Sequence, residues 1–436
     1  MILQTFSEIW QYFNIVLVNW FGWLFVLWVL IYMLFWLHRN QNQNKYIATF
    51  NWIFLEVRVE ELNERSPLAM EQVFAALHAI HQNFTWGEKF NGKVLMWFSA
   101  ELVSFGGKVS YIFKIPDKYK SLLESAIFAQ YPKAEINEVE DYLKNMPKEY
   151  FPEEVDFDFW GTQLLKKKDN AYPIRTYGIF EHPEQKTFID PLANVIEVLS
   201  NLQPYELMVY QIVCRPIDDK WKIAKKLLLD KLKGAPLKSG SNLFDKIFLD
   251  LPGNVLEGIV SIFSGPAEPQ KEQKKDEPPS QMLHKTEGEK QVIASIEHAL
   301  SKIYFEAKFR LFYMAPKDKF NKGLRLPEII GAVRNFDDVA LNGPKPDMKH
   351  TWTDKAYKLS EQLEKPYLQK NILTRKRHFW HAFTSRSFWK GSGDVYFNTE
   401  ELATIYHFPQ APNVRVSQVE RVTTVKSAPP PDLPVG

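Results

Sequence analysis

The chain has 436 residues, which is long enough for two or three domains with cores of their own. Its formal net charge of +2 is too small for a protein that binds polyanions over its whole surface. Any surface that binds nucleic acid would therefore have to be a local basic patch. The single cysteine, Cys214, excludes an intramolecular disulfide and suits a reducing compartment. It lies in the apolar run ELMVYQIVC, where we expect a buried structural thiol.

An apolar segment near the N-terminus predicts a transmembrane anchor within residues 1–45. Residues 10–37 contain no charged side chain, and residues 20–37 would rise about 27 Å as a helix, close to the hydrocarbon thickness of a bilayer. A core helix is the alternative. Glu8 before the run differs from the basic start of a signal peptide. The basic flank after the run, which includes Lys45, favours a single-pass protein of the inner (cytoplasmic) membrane with its bulk in the cytoplasm.

Residues 46–150 alternate strand-like and helix-like patterns. The strand WIFLEVRVE is followed by a helix that opens at Pro67, a hairpin that turns at Gly106, a helix capped by Asp117, and the strand AEINEVED. The order β-α-β-β-α-β is that of a ferredoxin-like domain. The sequence therefore predicts an α+β fold whose first domain is ferredoxin-like.

A recurring pattern predicts a second, elaborated ferredoxin-like unit at residues 151–347. YIFKIPDKYKSLL, QIVCRPIDDKWKIAKKLL and LFYMAPKDKFNKGL each combine a strand, a proline, and an Asp-Lys-aromatic group that opens a helix. An amphipathic and disordered insertion interrupts this unit at residues 235–284. The amphipathic part either lies on the membrane or packs against protein.

No motif for catalysis, cofactor binding or metal binding occurs in the sequence. The loops KGAPLKSGS and WKGSGD lack the spacing of a phosphate-binding loop. The pairs His78/His81 and His378/His381 place two histidines one helical turn apart without further ligands nearby. We expect no catalytic, cofactor-binding or metal-ligating residue, and no enzymatic activity.

A basic and aromatic stretch without acidic residues runs from Lys365 to Gly393. Its cations could neutralise phosphates while its rings stack on bases or lie at a lipid surface. Alternatively it forms an amphipathic helix whose aromatic side chains are core. The candidate nucleic-acid or membrane-surface residues are Lys370, Arg375, Lys376, Arg377, Trp380, Phe383, Arg386 and Lys390.

The last segment, residues 348–436, ends in a helical connector and a proline-rich tail. In FNTEELATIYHFP, Asn398 or Thr399 can cap a helix that carries two glutamates in its first turn and that Pro409 stops. The sequence SAPPPDLPVG follows.

These features resemble the N-terminal, non-ATPase half of membrane-anchored conjugative DNA-transfer ATPases, the type IV secretion coupling-protein group of the HerA/FtsK-like class. The phrases AQYPKAEINEVEDY, FNTEELATIYHFP and PPPDLP carry the resemblance. In that family such a connector comes before a P-loop ATPase domain, which this sequence does not contain. The resemblance therefore implies a bacterial module that does not itself hydrolyse ATP.

We expect an accessory module of a type IV secretion or conjugative DNA-transfer machine, which positions a P-loop motor carried elsewhere. The expected partners are membrane lipid through residues 10–37, the motor ATPase or its downstream-encoded domain, DNA as a further candidate, and other copies of the chain in a homo-oligomer. The alternative is a membrane-bound protein–protein scaffold without a nucleic-acid role.

Overall fold

The computed structural model describes residues 22–60, 63–182, 187–233, 285–355, 365–410 and 421–422. They belong to two compact units. The N-terminal unit contains the described residues up to Asn51 together with Gln82–Leu95, and the sheet unit contains Trp52–His81 and the described residues from Met96 onward. The predicted insertion at 235–284 and the proline-rich tail lie outside the described residues.

The chain combines helices with a mainly antiparallel sheet. In chain order the described helices are α1 (Gly22–Ala48), α2 (Pro67–Leu77), α3 (Trp86–Phe90), α4 (Lys120–Gln130), α5 (Ala193–Ser200), α6 (Lys220–Lys233), α7 (Glu287–Ser301), α8 (Lys322–Val333), α9 (Lys365–Thr384) and α10 (Thr399–Ile405). The described strands are β1 (Trp52–Glu60), β2 (Phe98–Phe105), β3 (Lys108–Pro116), β4 (Glu135–Val139), β5 (Phe157–Lys166), β6 (Glu181–His182), β7 (Thr187–Phe188), β8 (Leu207–Pro216), β9 (Tyr304–Pro316), β10 (Pro344–Pro346), β11 (Val395–Asn398) and β12 (Arg421–Val422).

Helix α1 dominates the N-terminal unit and buries none of its side chains. Among the described residues it is the helix that is long and apolar enough to cross a membrane. Its length and composition are also compatible with a signal sequence near the N-terminus. Within this unit the Phe35 ring of α1 lies 5.4 Å from the Phe90 ring of α3. Residues 10–21 of the predicted anchor lie outside the described residues.

Strands β1 to β4 form one half of the main sheet. Their spatial order is β4-β1-β3-β2, and every neighbouring pair is antiparallel. The predicted hairpin is confirmed, because β2 and β3 are joined through Gly106 and Gly107 at φ values of 61° and 87°. Such angles fall in the left-handed region that favours glycine.

The predicted cap of α4 is wrong. Residues 117–119 form a short 3-10 turn, in which the Asp117 side chain makes no capping hydrogen bond. Helix α4 begins only at Lys120. The aspartate therefore lies too early in the chain to accept from the free N–H groups of the helix.

Strands β5, β8, β9 and β10 form the other half of the sheet. Their order is β10-β5-β9-β8, again with antiparallel neighbours. When the strands of each half are numbered in sequence order, both halves have the same spatial order: fourth, first, third, second. The recurring strand–proline–helix pattern is confirmed, since β3, β8 and β9 end at Pro116, Pro216 and Pro316 and are followed by α4, α6 and α8.

The two halves join into one sheet through β2 and β8. These strands pair antiparallel from Phe98 opposite Cys214 to Phe105 opposite Leu207. Strand β11 adds to β9, and β12 pairs in parallel with the end of β1. The sheet unit therefore has a continuous backbone ladder from β10 to β4.

Helices cover both faces of this sheet, which explains why β8 and β9 are buried along nearly their whole length. Helix α2 packs against α4 and α10, and α5 packs against α8 and the β2–β3 hairpin. On the other face α9 packs against β5. There Trp380 and Phe383 of α9 join Phe159 and Phe312 of the sheet in one hydrophobic cluster.

Helix α10 belongs to the core of the sheet unit. All of its residues are buried. The predicted cap at Asn398 is confirmed, because its side chain accepts from the Glu401 N–H while the Glu401 side chain accepts from the Asn398 N–H. The following Tyr406 packs edge-on against Phe74 and Phe113. The phrase that carries the resemblance is therefore itself an element of core packing.

Candidate functional site

A cavity of about 850 Å³ lies beside α9 in the sheet unit. Its walls come from α9, from the loop after that helix, and from the segments around residues 148–150 and 350–351. Strands β5 and β9 contribute Gln163 and Arg310. The cavity therefore brings together polar groups that are far apart in the chain.

The lining of this cavity is strongly cationic. Five lining side chains are lysines or arginines, namely Lys148, Arg310, Arg375, Arg377 and Lys390, and three more are histidines, namely His350, His378 and His381. The acidic side chain in the lining is Glu149. Such an excess of cations favours anionic ligands.

The basic–aromatic stretch predicted from the sequence contributes three of its eight candidate residues to the cavity. Arg375, Arg377 and Lys390 line it. Lys370 is exposed on α9 away from the cavity, and Lys376 is half-buried in a 2.6 Å ion pair with Asp158. Trp380, Phe383 and Arg386 do not line the cavity.

The two aromatic candidates of α9 are core residues. Trp380 and Phe383 are both 0% exposed. The indole N–H of Trp380 donates to the Pro147 carbonyl at 3.0 Å, and Phe383 stacks on Phe312 with ring centroids 4.1 Å apart. Neither ring can stack on a nucleic-acid base in this structure. Their environment corresponds to the core alternative left open by the sequence.

Arg375 is buried as well, and its guanidinium serves the backbone. The Nη1 group donates to the carbonyls of Met348 and Trp352 at 3.2 and 3.1 Å, and Nη2 donates to the Lys349 carbonyl at 2.7 Å. This arginine therefore holds the 348–352 turn against α9.

Arg386 is fully buried where the chain leaves α9. It donates to both carboxylate oxygens of Asp141, at 2.7 and 2.8 Å, and to Glu101 at 3.2 Å. Its φ is 51°, and no other non-glycine residue among those described has a positive φ. Because that backbone conformation is unfavourable, the buried ion pairs must stabilise it.

The loop after α9 is fixed by polar side chains of the sheet. Gln163 donates to the Gly393 carbonyl at 2.9 Å, and Arg310 donates to the carbonyls of Ser387 and Lys390. Gly391 has a φ of 117°, and a Cβ there would lie 2.4 Å from Gln163 Oε1. Only glycine therefore lets the loop approach the sheet this closely.

The floor and the rim of the cavity differ in electrostatic character. Arg310 is 1% exposed, and burial lowers its pKa to about 9, although Glu101 and Asp394 oppose that shift. It therefore remains charged at neutral pH. The rim side chains Lys148 and Lys390 are exposed and form no ion pair with any residue that the structure describes.

The histidine pairs noted in the sequence lie in different surroundings. Within the described part of the chain no cluster of three or more His, Cys, Asp or Glu side chains could hold a metal ion. His78 and His81 stack on each other at 5.7 Å, and His78 Nε2 contacts the Ile217 carbonyl. His378 and His381 both line the basic cavity.

Sequence reasoning missed Lys148, Gln163, Arg310 and His350 as members of this site. One signal was present for Arg310. In the strand YFEAKFRLFYM, charged residues recur at every second position, which indicates a strand face directed at polar groups. The contributions of Lys148 and His350 depend on how their loops fold, and no local pattern marks them.

No protein-family model and no curated protein matches this chain.

Proposed function

We propose that this chain is a membrane-anchored accessory module of a type IV secretion or conjugative DNA-transfer machine, which positions a P-loop motor carried elsewhere. In this proposal α1 belongs to a single-pass anchor in the inner membrane, and the sheet unit lies in the cytoplasm. The shared strand order of the two sheet halves supports their assignment as two ferredoxin-like units. The cationic cavity fits a partner with phosphate groups.

The observation that carries the proposal is how the chain leaves the sheet unit after α10. Asn63 donates through its side-chain amide to the carbonyls of Phe408 and Pro409, at 3.4 and 3.1 Å. Asp190 accepts from the Gln410 N–H at 3.3 Å. The exit of the chain is therefore held to the core by contacts from separate segments.

This fixed exit lies near the C-terminal end of β1, within the sheet unit. Strand β1 starts at Trp52, shortly after α1, and Asn63 follows shortly after its last residue. A strand of this length spans about 30 Å. Gln410 is thereby held at a defined distance from the start of β1. Such a rigid spacer is what a module that positions a motor requires.

Deletion of the gene followed by complementation tests the proposal. We expect the deletion to abolish DNA transfer, the full chain to restore it, and a chain without residues 1–45 to fail. Asn63→Ala, which loosens the exit, should reduce transfer while the protein stays in the membrane fraction. Asn137→Ala is the matched control, because Asn137 is exposed on β4.

Undiminished transfer in the deletion strain would refute a role in DNA transfer. If the deletion instead disrupted a membrane protein assembly, the scaffold alternative would replace the proposal.

A further inference from the structure

We propose that the basic cavity beside α9 binds a nucleoside phosphate. The inference concerns the cavity that the proposed function assigns to a partner with phosphate groups, but it needs neither a membrane nor a motor. The cavity volume of about 850 Å³ falls within the range of small-molecule sites, roughly 300–1,000 Å³, and exceeds what one phosphate ion fills. A ligand that fills this volume would have a body as well as an anionic group.

Cations at the rim can bind the phosphate. Lys148 and Lys390 have ammonium groups without a carboxylate partner in the described part of the chain. Arg377 uses its Nε to donate to the Tyr150 carbonyl at 3.0 Å, and no described acceptor takes its Nη groups. Terminal guanidinium and ammonium donors of this kind match phosphate oxygens.

The glycine-containing loop adds backbone donors to the same wall. Gly391 and Gly393 line the cavity, and their N–H groups donate to no acceptor among the described residues. The hydrogen bonds from Gln163 and Arg310 hold this loop in place. Free N–H groups in a fixed loop form a concave site for anions.

The remaining lining suits a planar ring. His378 and His381 of α9 present exposed imidazole rings in the lining, whereas Phe379 and Ala382, which also line the cavity, are only 4% and 1% exposed. Nucleobases stack on aromatic and imidazole planes and present polar edges to water or protein. Cationic and planar groups in one cavity therefore favour a nucleoside phosphate over a bare anion.

Two sources share this chemistry: a free nucleotide, and a nucleotide at the end of a single DNA strand. Calorimetric titration of the full chain in detergent with deoxyadenosine monophosphate tests the shared chemistry. Deoxyadenosine and inorganic phosphate serve as partial ligands. A 5′-phosphorylated oligodeoxynucleotide that competes with the mononucleotide indicates the strand as the source, and one that does not compete indicates the free nucleotide.

The decisive variant is Lys148→Gln with Lys390→Gln, since neither side chain makes a described contact that the fold needs. We expect saturable binding of the mononucleotide, weakened about tenfold or more by this double change. Lys345→Gln with Lys370→Gln is the control with the same change of charge at exposed lysines outside the cavity, and it should bind like the parent. Thermal melting verifies that both variants are folded.

Three results would overturn the proposal. They are the absence of saturable mononucleotide binding, equal affinity for inorganic phosphate alone, and an equal loss of affinity in the control variant.

Discussion

The buried ion pair between Lys166 and Glu401 should hold α10 against the sheet. Their charged atoms are 2.6 Å apart, and their side chains are 2% and 0% exposed. Glu401 also accepts from the N–H groups of Ile174 and Asn398 at 2.9 and 3.0 Å. Burial lowers the pKa of Lys166 and raises the pKa of Glu401, so each charge depends on the other for its stability.

Removal of one partner leaves the other charge buried without compensation. We therefore expect Lys166→Met and Glu401→Gln each to lower the free energy of unfolding by about 3–5 kcal/mol. The double variant has no buried charge at this position. Its loss of unfolding free energy should be smaller than the sum of the two single losses by about 1–3 kcal/mol.

Urea unfolding of the full chain in detergent, followed by tryptophan fluorescence, measures these differences. The control cycle uses Lys144→Met and Glu140→Gln, whose side chains are 61% and 78% exposed although they form a 2.7 Å pair. Each of these changes should cost at most about 1 kcal/mol. Additive losses at Lys166 and Glu401 would show that the two side chains do not stabilise each other, and would refute the argument.

Two further predictions concern other buried contacts. Burial alone would raise the pKa of Asp190, but His407 at 3.0 Å and two backbone N–H groups hold that pKa below the usual value of an aspartate. The charged carboxylate therefore stabilises the fold above its unfolded-state pKa, and this contribution is lost as the pH falls through the lowered folded-state pKa. Asp190→Asn should accordingly flatten the fall of the urea midpoint in the acid range, and an unchanged slope would contradict this. In Gly161→Ala, the new Cβ would lie 2.0 Å from Phe379, so we expect a loss of about 1–3 kcal/mol in urea unfolding. Gly288→Ala, whose Cβ meets nothing within 4 Å, should cause no loss, and equal midpoints for both variants would exclude a steric origin.

The sequence predicted local elements well where a physical signal was local. The hairpin at Gly106, the cap at Asn398 and the strand ends at the three prolines all depend on a few neighbouring residues. Cys214 is buried, as its apolar run indicated, and burial raises the pKa of its thiol far above the usual value. Such a thiol is unreactive, in agreement with a structural role.

The pairing of β2 with β8 was not predictable in the same way. Alternating burial shows which side chains face inward, but it does not identify the neighbouring strand. Residues 98–105 and 207–216 come together only because both halves of the sheet leave an unpaired edge. Exposed backbone groups at those edges gain hydrogen bonds by joining. The continuous sheet is thus a property of the two halves together.

The basic–aromatic stretch shows why composition alone left its function open. Arg375 and Arg386 bind carbonyls and carboxylates inside the protein, whereas Lys390 lies exposed at the rim of the cavity. Arg375→Ala would leave the carbonyls of the 348–352 turn without their donor, and Arg386→Ala would leave the buried Glu101 without its cation. Weaker ligand binding in either variant could then result from a damaged fold. Only the exposed cations can separate binding from stability. The test of this surface therefore belongs at Lys148 and Lys390, where loss of charge leaves the packing intact.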